Sequence, residues 1–236
     1  MQLFYSQSIE NNSLSLDEEE YRHCIKVLRH SVGDEIAVTD GKGTLYKALI
    51  AQVGKHQCTA TIVQQQHFEP QTHLLHLVVA PTKNTDRIEW TVEKLVEIGV
   101  SKISFIHCEH SERKVLKTDR LQKIALSAIK QSLKFYLPVI DELTPFKTFI
   151  EGIDKNQNLF IGYCETEATA YLPTQPFTHG QTTVLIGPEG DFSPAEVELA
   201  KQAGFIPISL GKSRLRTETA AIVAATLINS KFETQA

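Results

Sequence analysis

No apolar run in this chain approaches the roughly 20 residues that a membrane-spanning helix needs. The first residues, Met1-Gln2-Leu3-Phe4-Tyr5, lack both the basic start and the apolar stretch of a secretory signal. No membrane association is expected, and the cytoplasm is the expected location. Cysteine is scarce. Cys24, Cys58, Cys108 and Cys164 stand far apart with no C-x-x-C pair, which argues against a disulfide framework or zinc-thiolate cluster and predicts buried, reduced thiols. His107-Cys108-Glu109-His110 lies at a strand end without metal-ligand spacing, so no metal is expected. No G-x-G-x-x-G opens a helix after a strand, which disfavours a nicotinamide enzyme. Positive charge is not in excess either, since 24 Lys and Arg face 28 Asp and Glu. Its distribution says more than its sum: the 22 residues 113–134 hold seven basic residues (Arg113, Lys114, Lys117, Arg120, Lys123, Lys130, Lys134) against one acid, Asp119. A protein acidic overall can still present one phosphate-binding face.

Residues 1–70 form a β-rich pattern with one helix. Ser15-x-x-Glu18 has the form of a capping box, and Tyr21, Cys24, Ile25 and Leu28 follow at helical spacing. On the neighbouring face Arg22, Lys26 and Arg29 fall at i, i+4 and i+7. Runs 35–39 and 45–53 flank Asp40-Gly41-Lys42-Gly43, a hairpin signal, and 57–63 supplies another strand. The polar stretch 64–70 ends in Pro70, so the domain boundary is expected there. From residue 71 to 236 strands and helices alternate: strand 74–80, a helix capped by Asp86-x-x-Glu89 and ended by Gly99, strand 103–108, helix 119–133, extended 137–140, a short helix opened by Thr144-Pro145, and strand 159–164. This order predicts an α/β domain with a mainly parallel sheet.

The chain then gives two units of buried strand, glycine turn and helix. The first is Val184-Leu185-Ile186-Gly187-Pro188-Glu189-Gly190-Asp191-Phe192-Ser193; its helix carries a Ser193-x-x-Glu196 box and ends near Gly204. The second runs through Leu210-Gly211-Lys212-Ser213-Arg214-Leu215-Arg216-Thr217-Glu218-Thr219-Ala220, with Thr217 as the expected cap of an apolar helix. Taken as neighbouring strands, the two would open into one crevice, the usual ligand position in an open α/β sheet. Gly187, Gly190 and Gly211 would admit close backbone approach, and Leu185, Leu210, Leu215 and Ala220 an apolar slot, although on the residues alone tight turns suffice to explain the glycines. The segment 164–168 is a candidate third side. Arg214 and Arg216 stand at the positive end of a helix dipole, where something anionic should compensate them: Glu189 or Glu218, or a nucleic-acid substrate. Glu189 is equally a turn-holding carboxylate or a catalytic one.

Gly187-Pro188-Glu189-Gly190-x-Phe192-Ser193 with Leu210-Gly211-x-x-x-Leu215-Arg216-Thr217-Glu218-Thr219-Ala220 resembles the ribosomal RNA small-subunit methyltransferase E family, in the SPOUT class. Glu93-Lys94-x-x-Glu97-x-Gly99-Val100, Ser111-Glu112-Arg113 and His23-x-x-x-Val27-Leu28-Arg29 extend the likeness over nearly the whole chain. Two departures stand out: Asp191 replaces a usual second glycine, and 130–134 replaces a segment that more often ends in Gly-Arg. The resemblance implies a small PUA-like β-barrel (1–70) before a SPOUT α/β domain (71–236) whose last segments form a trefoil knot, and a homodimer. It implies S-adenosyl-L-methionine as cofactor, held by Leu185, Ile186, Gly187, Glu189, Gly190, Leu210, Gly211, Leu215, Arg216, Thr217 and Ala220. The implied reaction is methylation of N3 of a uridine in 16S ribosomal RNA of the small subunit, with Arg216, Arg214 and Glu189 as catalytic candidates and Arg22, Lys26, Arg29 and the seven basic residues of 113–134 as RNA contacts. A ribose 2′-O methyltransferase and a non-catalytic ribosome-binding module remain the alternatives.

Overall fold

The computed structural model describes residues 2–163, 170–178 and 180–233, with the side chain of Glu233 outside the description. They group into two compact units. The first, up to Pro70 together with Leu126–Leu137, contains β1 (Leu3–Tyr5), β2 (Ser8–Glu10), β3 (Ser13–Leu16), α1 (Glu18–Tyr21), β4 (Glu35–Thr39), β5 (Thr44–Val53) and β6 (Cys58–His67). The sheet order is β1-β4-β5-β6-β3-β2, antiparallel except where β1 meets β4. Ser6 draws the sheet into a barrel. Its N–H donates to Thr39 O at 3.0 Å and its hydroxyl to Ser15 O at 2.7 Å, although β4 and β3 lie three places apart in the order. Phe4, Leu14, Leu16, Val38, Ile50 and Cys58 fill the interior.

Three local expectations need correction here. Ser15 is tied into the ladder of β3, opposite Ser8 and Thr59, and cannot also cap a helix; Asp17 does so, its Oδ1 accepting the N–H of Glu20 at 2.9 Å. The helix then widens into a π-turn over Arg22–Val27, with Leu28 N–H reaching His23 O, and Arg29 lies beyond it at φ +62°. Arg22, Lys26 and Arg29 therefore do not share one α-helical row. The strand expected over 57–63 runs on to His67, because the first residues of β5 need residues 64–67 as ladder partners. The segment 126–137 closes the unit: Lys130 pairs with buried Glu20, and Leu137 N–H donates to Gly41 O at 2.9 Å.

The second unit holds β7 (Leu74–Val79), α2 (Thr85–Ile98), β8 (Lys102–His107), most of α3 (Thr118–Gln131), β9 (Val139–Pro145), α4 (Phe146–Glu151), β10 (Asn158–Gly162), β11 (Ala170–Tyr171), β12 (Gln181–Ile186), α5 (Pro194–Gln202), β13 (Ile206–Ser209) and α6 (Thr217–Glu233). The seven strands run β11-β13-β10-β12-β7-β8-β9, all pairs parallel. Leu75, Leu77, Val78, Ile103, Ile161, Val184 and Leu185 are buried, the continuous apolar signature of a sheet covered on both faces. Gly99 and Gly204, at φ +104° and +102°, end α2 and α5 as expected. The cap of α2 is Asn84 rather than Asp86: its Oδ1 accepts the N–H of Asp86 at 2.8 Å. β12 and β13 are not neighbours, because β10 lies between them.

Candidate active site

The strand order explains the site. From β7 the chain moves outward through β8 and β9, then returns to the other side of β7 with β10, and β12 and β13 flank β10. This reversal opens the sheet at its carboxyl edge, where an α/β fold binds ligands. There the ends of β10, β12 and β13 enclose a cavity of about 370 Å³, lined by Gly162, Tyr163, Ile186, Gly187, Pro188, Glu189, Asp191, Ile208, Ser209, Leu210, Gly211, Lys212, Ser213, Arg214, Leu215, Thr217 and Ala220. Two contacts fix its walls. The Thr217 hydroxyl donates to Gly187 O at 3.0 Å and so joins the two glycine loops, a different task from the helix cap expected of it. Glu189 Oε1 accepts the N–H of Lys83 at 3.2 Å, anchoring its loop to the one after β7. Gly211 holds φ +135°, a conformation rarely open to other residues.

Of the candidate residues, Ile186, Gly187, Glu189, Leu210, Gly211, Arg214, Leu215, Thr217 and Ala220 meet at this cavity, and Leu185, Gly190 and Arg216 do not line it. Leu185 points to the opposite face of β12 from Ile186, as alternate strand residues must, and packs in the core with Ile161 and Phe192. Gly190 is a glycine for the protein's own sake: an added Cβ would stand 2.9 Å from Cβ of His110. Arg216 is exposed outside the cavity. Neither arginine takes a carboxylate partner among the described residues; Glu218 goes instead to Arg87 at 3.5 Å and Glu189 to the backbone of Lys83. Gly162 and Tyr163 were missed as site residues, although a glycine closing the apolar run Leu159-Phe160-Ile161 is a strand-end signal of the same kind. The segment 164–168 lies outside the described residues.

Residues 69–229 match the family model described as RNA methyltransferase domain, and residues 16–63 the one described as RNA methyltransferase PUA domain. The chain belongs to the RNA methyltransferase family. This methyltransferase is 29% identical over 241 residues to the ribosomal RNA small subunit methyltransferase E of Buchnera aphidicola subsp. Acyrthosiphon pisum, covering 98% of this chain and 93% of that one. Its structure is similar to that of a probable rRNA-methyltransferase from Porphyromonas gingivalis, with TM-score 0.93, 40% identity and full coverage of both chains. It is similar also to the ribosomal RNA small subunit methyltransferase E from Neisseria gonorrhoeae bound to S-adenosyl methionine, with TM-score 0.89, 26% identity and 98% of each chain covered.

The basic residues of the methyltransferase divide by what they touch. Arg113 donates from Nε to Thr82 O at 3.0 Å and from Nη2 to Thr85 Oγ1 at 2.9 Å, bracing the loop after β7. Arg120 pairs with Glu89, Arg22 with Glu18 and Lys130 with Glu20. Lys26 lies 5.9 Å from the ring centre of Tyr21. Lys114, Lys117, Lys123 and Arg29 are exposed with no acidic partner among the described residues. Cys24, Cys58 and Cys108 are buried free thiols, and burial pushes the Cys24 thiol up to about 12.

Proposed function

We propose that this methyltransferase transfers the methyl group of S-adenosyl-L-methionine to N3 of a uridine in 16S ribosomal RNA, acting in the cytoplasm on the small ribosomal subunit. The observation that carries the reading is the cavity at the ends of β10, β12 and β13. It combines glycine turns at Gly187 and Gly211, where backbone can approach a ligand closely, with apolar side chains of Ile186, Leu210, Leu215 and Ala220, the mixture a flat base and a polar tail require. The cofactor, when bound, supplies an electrophilic methyl group on a sulfonium and needs no metal. The protein's part is to align the acceptor and hold the charge that develops on it. Loss of the N3 proton leaves negative charge on the uracil oxygens. Arg214, which lines the cavity and has no carboxylate partner among the described residues, is the cation assigned to it. Arg216, outside the cavity, is assigned to an RNA phosphate together with Lys26, Arg29, Lys114, Lys117 and Lys123. Glu189, which lines the cavity and holds its loop through the Lys83 N–H, is the carboxylate assigned to take up the N3 proton.

Mass spectrometry of digested ribosomal RNA from a deletion strain tests the reading. Loss of one base methyl on a uridine supports it; loss of a ribose methyl, or no change, overturns it. The pocket assignment has its own check in calorimetry with adenosylmethionine, where Ala220→Phe should weaken binding at least about tenfold by filling the cavity. A homodimer through α6 belongs to the same proposal. Ala221, Ala224, Ala225 and Ile228 are buried within the unit, while Ile222, Val223 and Leu227 remain partly exposed on other sides of the helix. Light scattering that gives a monomer at micromolar concentration would remove the dimer.

A further inference from the structure

The loop 187–191, whose residues Gly187, Pro188, Glu189 and Asp191 line the cavity, contains a left-handed non-glycine residue: Asp191 has φ +62°. That conformation is unfavourable for a residue with a β-carbon, least so for Asp and Asn. Two local bonds support it. Asp191 N–H donates to Pro188 O at 3.0 Å, and Asp191 Oδ1 accepts the N–H of Phe192 at 2.8 Å. Further support comes from the loop after β8. His110 Nδ1 lies 3.1 Å from both Gly190 O and Asp191 O. Both atoms are acceptors, so Nδ1 must carry the proton and share it between them. Cβ of His110 also fills the space that Gly190 leaves.

The turn that presents His110 is itself fixed. Ser111 N–H donates to Cys108 O at 3.1 Å and Ser111 Oγ accepts the N–H of Cys108 at 2.9 Å. Glu196 takes the N–H of Glu109 on one oxygen at 2.8 Å and that of Ser193 on the other at 2.9 Å. A single carboxylate thus ties the His110 turn to the start of α5, into which the 187–191 loop runs. Placed between two carbonyls on so rigid a mount, His110 determines where this wall of the cavity stands.

We infer that His110 is a positioning residue for cofactor binding: its Nδ1–H and Cβ hold the 187–191 loop in its binding-competent form. The inference rests on the reading of the cavity as the adenosylmethionine pocket. His110→Ala should raise the adenosylmethionine KM and calorimetric Kd about five- to tenfold with kcat changed less than twofold. His110→Asn, whose side-chain amide nitrogen can stand where Nδ1 does, should return both to within twofold of the wild type. A purely structural role would not be rescued in this graded way. Wild-type affinity in His110→Ala, or no recovery in His110→Asn, overturns the inference. Amide hydrogen exchange of residues 189–192 in the ligand-free protein supplies a readout that needs no cofactor: faster exchange in His110→Ala, restored in His110→Asn, is expected, and unchanged exchange overturns the positioning role. If the wild-type protein binds no adenosylmethionine while exchange responds as expected, the failure lies in the pocket reading and not in the role of His110 as brace.

Discussion

Two residues show how single side chains answer to backbone geometry. Leu133 follows the end of α3 at φ +54°, and the next N–H, that of Lys134, returns to Ile129 O at 2.9 Å. This is the closing turn in which glycine is normally preferred. The departure at 130–134 thus places a leucine where the backbone wants no β-carbon, and that leucine, 41% exposed, is only partly packed against the fold. Leu133→Gly should raise stability by about 1 kcal/mol, visible as a higher urea midpoint at unchanged slope. An equal or lower midpoint would mean that the leucine side chain contributes more than its conformation costs. Gly43 shows the converse. It has φ +99°, and an added Cβ would run into the phenol of Tyr136, whose hydroxyl donates to Phe68 O at 2.8 Å. Gly43→Ala should therefore destabilise by about 2 kcal/mol. The glycine was legible in the sequence as a hairpin signal; its tyrosine neighbour, 93 positions away, was not.

Among the elements, strands and helices of the second unit were legible because apolar runs and glycine stops repeat in order, whereas the cap was legible only where a proline marks the first helical position, as Pro194 does after Ser193. The Ser193-x-x-Glu196 box forms as written, with both reciprocal bonds present. At α1 and α2 a second polar residue stood within two positions of the expected one, and burial in a ladder or the local turn decided between them. What sequence could not supply is sheet order. β12 and β13 share a grammar, but the intervening β10 makes the cavity three-sided and brings in Gly162 and Tyr163. Nor could it show that the carboxylate of Glu196 serves the turn 108–111 as well as its own helix. The two functions separate in a mutational pair. Ser193→Ala should cost about 1 kcal/mol, the ordinary loss of a cap, and leave adenosylmethionine affinity unchanged. Glu196→Ala, which frees two backbone N–H groups, should cost roughly 2 kcal/mol and weaken affinity as well. Equal effects from the two changes would show that the bond to Glu109 contributes nothing.

At the scale of the whole molecule, charge and burial give separable dependences on salt and on pH. The basic segment is less available than its count suggests, since Arg113, Arg120 and Lys130 are engaged within the protein. Lys117→Ala with Lys123→Ala should flatten the slope of log RNA affinity against log salt by about two, while Arg120→Ala with Lys130→Ala should flatten it less. Acid stability should depend on His76. It is 5% exposed, with Nε2 at 2.7 Å from Ser104 Oγ, and that hydroxyl donates its own proton to Asp141 Oδ2 at 2.6 Å. Nε2 must then be the donor in the first contact, and protonating Nδ1 would place a cation among buried groups. Burial first, and then the nearby Lys102, lower the His76 pKa from 6.5 to about 4, against a smaller opposite effect of Asp141. Unfolded chains therefore bind more protons than folded ones between those two values, so the stability this histidine confers is complete above about pH 6.5 and falls away as pH drops toward 4, by roughly 3 kcal/mol if no other group intervenes. His73, lowered by burial in the same direction, adds to the slope. Melting temperatures measured from pH 7.5 to 4.5 should decline less steeply in His76→Asn than in the wild type, from a lower starting point because the Ser104 contact is disturbed. Parallel curves would mean that His76 already takes up its proton in the folded state, leaving the acid sensitivity to His73 and the carboxylates.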